Sequence, residues 1–117
     1  VEKIKNVKIS SNKSIIDDLK VSNMCIYWSS AACIEALKMG IPVIHYKINK
    51  TFSFDPLFNC KHLKWDIVDD FSFNNVIDQI NKIDINKYEQ IRKNAENYIN
   101  DYLVKVTKEN IDKFINE

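Results

Sequence analysis

Glycine is almost missing from this chain: Gly40 is the only one among 117 residues. A nucleophile elbow of the Gly-x-Ser-x-Gly kind is therefore excluded, and a phosphate-binding turn has to be built without the glycines that usually form it. Arginine is equally scarce, with Arg92 alone, and the lysines are so mixed with acids that the formal net charge is only +1. Such a balance lacks the electrostatic footprint of a general nucleic-acid binder, so an anionic ligand must be held locally. Cys25, Cys33 and Cys60 are odd in number and fit neither zinc-pair nor redox-pair spacing, which argues against a disulfide framework or a metal site and for a cytoplasmic setting. No apolar run approaches the roughly 20 residues that cross a bilayer, so no integral membrane segment is expected. The opening VEKIKNVKIS has no signal-peptide core and reads as a chain that begins inside a fold.

What is present is the balance of a globular domain, with 45% hydrophobic and 28% charged residues. Residues 1–117 read as one domain. Val7 and Ile9 alternate with lysines and predict a short strand, followed by a helix over Ser14 to Lys20 that Ser14 caps and that turns Ile15, Ile16 and Leu19 to one side. MCIYW and PVIHY are continuous apolar runs separated by a helix-sized gap, the pattern of two parallel strands covered on both faces and joined right-handedly. LKWDIV alternates, placing Leu63, Trp65 and Ile67 inward and Lys64 and Asp66 in water, as near a sheet edge. Helices follow over Phe73 to Lys82, Lys87 to Val104 and Lys108 to Asn116. The middle one carries a stripe of Tyr88, Ile91, Ala95, Tyr98, Ile99 and Tyr102, expected to pack on the same domain. The longest irregular stretch, Lys47 to His62, contains TFSFDPLFN, and loops of that size often face ligands.

The densest functional signal is SSAACIEALKMGIPVI, residues 29 to 44. Ser29 or Ser30 is placed to cap a helix over Ala31 to Met39, Gly40 to end it in a left-handed turn, and Pro42 to prevent continuation. The helix start follows the carboxyl end of a buried parallel strand, where open α/β sheets bind ligands and where free backbone N–H groups attract anions. Ala31 and Ala32 keep that surface low. Glu35 lies about 40° around the axis from Ala31, so its carboxylate projects along the same face, or else pairs with Lys38.

The order of an apolar strand, Ser29-Ser30, Glu35-Ala36-Leu37 and Gly40-Ile41-Pro42-Val43-Ile44 resembles the nucleotide-sugar-binding half of GT-B glycosyltransferases. SIIDDLKVSN resembles the helix before that strand, and the tail from Asn94 to Glu117 is loosely similar. The resemblance implies a Rossmann-like parallel α/β sheet with flanking helices and a helical C-terminal tail, corresponding to part of the C-terminal GT-B domain. It also implies a nucleotide sugar as substrate, with no separate cofactor or metal. Ser29, Ser30, Ala31 and Ala32 would contact the diphosphate, and Glu35 the ribose. His45, at the end of the second strand, and Asp55, which also reads as a turn cap before Pro56, are candidate sugar contacts. The acceptor-binding N-terminal domain would be supplied in cis or by a partner subunit, and this chain alone would transfer nothing. The whole protein would then act in the cytoplasm or at the inner face of the membrane.

Tyr27 stands where the Glu-x7-Glu pair of retaining members would need an acid. Trp28, Ser30, Ala31 and Ile34 differ from the pattern of nucleotide-sugar 2-epimerases, a related class that remains an alternative reaction. A non-catalytic split subunit docking through the Tyr88 to Tyr102 stripe, or near Trp65, is another. His62 in KHLK reads as solvated, and Cys33 as packing.

Overall fold

The computed structural model describes residues 6–47 and 55–115, with side chains described as far as Leu103. Three short strands form its centre: β1 (Cys25–Tyr27), β2 (Val43–Tyr46) and β3 (Lys64–Ile67), parallel and in the order β1-β2-β3. The register aligns Tyr27 with His45 and His45 with Asp66, so one row of three polar-tipped side chains crosses the sheet on a single face. Helices α1 (Ile15–Leu19), α2 (Ala32–Lys38), α3 (Asp70–Asn81) and α4 (Ile85–Ile115) flank it. This is the parallel α/β class that the two apolar runs predicted.

Adjacent residues of a strand face opposite ways, and Val43 and Ile44, both 0% exposed, enter two separate cores. Val43 joins Tyr27, Cys33, Ala36, Leu37, Leu57, Leu63, Ala95 and Ile99 beneath α2 and α4. Ile44 joins Ile67 and Val76 beneath α3, with Trp65 reaching both. The stripe on α4 packs as expected within the domain, chiefly on α2. Ala95 and Ile99 are wholly buried, and Tyr88 donates from its hydroxyl to the Gly40 carbonyl at 2.6 Å. Burying a side chain such as Ile99 contributes about 1.5–3 kcal/mol, and the Tyr88 bond anchors the left-handed Gly40 turn in which α2 ends.

Several local expectations are corrected. Val7 and Ile9 form no strand, and Ile9 is 96% exposed. The segment is tied to α1 instead, because Ser10 and Asn12 each donate to Asp18 at 2.7 Å. In α1, capped by Ser14 as predicted, only Leu19 is buried, while Ile15 and Ile16 remain 49% and 41% exposed. β1 is not covered on both faces, since Ile26 is 51% exposed. α3 begins before Phe73 because Asp69 and Ser72 form a reciprocal capping box, with bonds of 2.7 and 3.1 Å. The two C-terminal helices are one, Ile85–Ile115. The residues between them, Lys105, Val106 and Thr107, include neither glycine nor proline, and β-branching alone weakens a helix too little to stop it.

Candidate functional site

The turn between β1 and α2 opens on a shallow pocket of about 410 Å³ lined by Ile15, Ser30, Ala31, Ala32 and Glu35. Four of the five residues expected to hold diphosphate or ribose thus meet on one surface at the carboxyl end of β1, and α1 supplies Ile15 as its wall. Ser29 is exposed and stands outside this lining. The helix starts one residue later than expected: Ala31 is the N-cap and makes no side-chain cap bond, while Ser30 Oγ accepts the Ala32 N–H at 3.1 Å. That hydroxyl therefore serves the backbone, and the Ile34 N–H is taken by the Ala31 carbonyl at 3.0 Å. Glu35 approaches Lys38 at 4.0 Å, with both side chains about 40% exposed (41% and 42%), a separation at which water competes freely with the ion pair.

A second grouping lies beneath the same edge of the sheet, and the sequence had given only two of its members. Asp55 sits at the centre, its side chain 10% exposed. Its Oδ1 accepts from the Tyr27 hydroxyl at 2.7 Å and from the Leu57 N–H at 2.9 Å, and its Oδ2 accepts from Lys64 Nζ at 2.6 Å. The turn-cap reading of Asp55 is thereby met, together with a buried charge pair. His45, 3% exposed, approaches Asp55 Oδ2 at 3.6 Å and Asp66 Oδ1 at 3.3 Å through Nδ1. Its Nε2 lies 2.8 Å from the carbonyl of Trp28, the residue before Ser29. The imidazole therefore pins the strand-to-helix junction that opens the pocket.

Electrostatics follow this geometry. Burial alone drives the Asp55 carboxyl upward, but hydrogen bonds from Lys64, Tyr27 and the Leu57 N–H outweigh it and hold the pKa below the usual carboxylate value. Burial, reinforced by the neighbouring Asp55 carboxylate, pushes the Tyr27 hydroxyl far above its ordinary value, which keeps it a donor. Burial likewise raises the Cys33 thiol to about 12, in keeping with its packing role.

Sequence reasoning missed Tyr27, Lys64 and Asp66. Lys64 and Asp66 alternate with Trp65 and Ile67 and so looked like the wet face of an edge strand, yet the Lys64 side chain is 5% exposed. The usable signal was that a lysine and an acid two residues apart share a strand face, and that a histidine and an Asp-Pro turn precede them. His62 does not enter the group. Of TFSFDPLFN, residues 51–54 lie outside the described residues.

The fold and this edge define a small parallel α/β domain with its polar residues gathered where the strands end. Compared with known protein families, curated proteins and solved structures, the chain matches none.

Proposed function

We propose that this chain is a Rossmann-like, nucleotide-sugar-binding part of a GT-B-type glycosyltransferase acting in the cytoplasm. The observation that carries the reading is the pocket shared by Ser30, Ala31, Ala32 and Glu35 at the carboxyl end of a parallel strand. Small side chains and the Ser30 hydroxyl suit the close approach of a diphosphate there, and a carboxylate one turn into α2 suits the two hydroxyls of a ribose. Among the described residues no lysine or arginine lines the pocket. Transfer depends on positioning a second substrate, so catalysis is assigned to the chain together with an acceptor-binding part, in cis or on a partner.

A split subunit that docks on a separate chain is favoured by one further feature. Ile26 in β1 and Trp28 just after it are 51% and 45% exposed, and β1 has no outer neighbour strand among the described residues. In either case donor binding is the common property.

Saturation titration with uridine, guanosine and cytidine nucleotide sugars tests the reading. One of the three is expected to bind measurably, and Glu35→Ala is expected to weaken it by about 1–3 kcal/mol through loss of charged hydrogen bonds. Equal affinity in the two proteins would remove the ribose role, and no binding of any donor would remove the reading as a whole.

A further inference from the structure

We propose that His45, Asp55 and Asp66 form a divalent-cation site of the kind that takes zinc. A backbone carbonyl only accepts hydrogen bonds, so the 2.8 Å contact with Trp28 O places the ring hydrogen on Nε2. In the neutral ring Nδ1 then carries a lone pair. That atom is buried, in a residue 3% exposed, and among the described residues no hydrogen bond satisfies it. It points toward Asp66 Oδ1 at 3.3 Å and Asp55 Oδ2 at 3.6 Å. Three electron-pair donors, all within 4.8 Å of one another, thus converge on one point from three separate segments of the chain. Lys64 offsets the charge of both carboxylates and Lys47 lies 3.6 Å from Asp66 Oδ2, but the Nδ1 lone pair faces two acceptors, and a cation bonded to all three removes that conflict.

Geometry and ligand chemistry narrow the class of ion. In a tetrahedral zinc site with bonds of about 2.0–2.2 Å, neighbouring ligand atoms stand roughly 3.3–3.6 Å apart. The two separations from Nδ1 fall in that range. One imidazole nitrogen with two carboxylate oxygens is a donor set that zinc accepts, and a histidine ligand characteristically donates its other N–H to a backbone carbonyl, as His45 does to Trp28. Asp66, 40% exposed, opens the site to incoming ions, and three protein ligands leave a fourth position for water or a substrate oxygen. Lys64 Nζ shares Asp55 Oδ2 and lies 3.5 Å from Asp66 Oδ1. Each carboxylate oxygen has two lone pairs, so the ammonium and the ion bind side by side, with their repulsion holding affinity below that of an all-anionic cage. The cysteine pattern hid such a site, because none of its ligands is a thiol. The proposal is independent of nucleotide-sugar binding.

The full chain, stripped with a chelator, is titrated with Zn²⁺ by calorimetry and with Co²⁺ by visible absorption. The expected result is one ion per chain, with tetrahedral cobalt bands and no thiolate charge-transfer band. Asp66→Asn, at a half-exposed position, is expected to keep the circular dichroism of the wild type. It should weaken binding by at least about tenfold, the loss that follows even from removing an outer partner of a metal ligand. His62→Gln is expected to bind as the wild type does. Absence of saturable uptake would overturn the site and leave a proton as the occupant of Nδ1. Thiolate bands, or undiminished binding by Asp66→Asn, would equally overturn it.

Discussion

Lys64 Nζ stands 2.6 Å from Asp55 Oδ2, and the two side chains are only 5% and 10% exposed. Taking two charges out of water is costly, and the cost is met here by a short charge-assisted bond with further donors from Tyr27 and the Leu57 N–H. The pair joins β3 to the turn after β2. It also holds the carboxylate that faces His45.

Lys64→Ala is expected to destabilise the fold by about 3–5 kcal/mol, because it leaves a buried carboxylate without its cation. Urea unfolding followed by circular dichroism measures this. A loss below about 1 kcal/mol, the range of a surface ion pair, would show that the lysine is solvated in solution.

Acid should unfold the protein partly through Asp55. Its folded pKa is lower than the unfolded value, so its contribution is fully present above the unfolded carboxylate pKa of about 4 and is lost as pH falls through the folded value. In Asp55→Asn the stability at neutral pH is expected to be lower and its decline below about pH 4 shallower. Parallel acid slopes in the two proteins would contradict the depressed pKa.

Gly40→Ala should cost about 1–3 kcal/mol, which for a chain near this size lowers the melting temperature by several degrees. The backbone there has φ +76°, and an added Cβ would stand 2.6 Å from Arg92 Cδ. The steric part is separable by calorimetry. In an Arg92→Ala background the penalty is expected to shrink to the roughly 1 kcal/mol of the left-handed backbone alone.

How much of this was legible in the sequence depended on whether a signal was local. The α2 turn was read almost residue by residue, since a run of small residues, Gly40 and Pro42 act on their own neighbourhood. The apolar runs gave β1 and β2 for the same reason. The Val7 and Ile9 strand failed because alternation says nothing about whether a partner edge is offered, and Asp18 offered hydrogen bonds instead. The candidate site divided along the same line. Ser30, Ala31, Ala32 and Glu35 are close in sequence and meet in one pocket. Tyr27, His45, Asp55, Lys64 and Asp66 come from four stretches that only the parallel register assembles.

One dihedral angle explains why Lys64 was misread. Leu63 has φ 58°, a left-handed setting that costs a leucine roughly 1–2 kcal/mol, and it is 1% exposed. Consecutive residues of an extended chain point to opposite sides, yet Leu63 and Lys64 both turn to the α2 side of the sheet. The twist at Leu63 acts as a parity change: every side chain after it is exchanged between the two faces relative to the chain before it. A strand entered in ordinary extended geometry would send Lys64 and Asp66 toward the apolar layer under α3, and Trp65 and Ile67 toward Asp55. The charge of this domain is therefore sorted by a backbone torsion at an apolar residue, and a substitution at Leu63 would be felt first as an electrostatic defect.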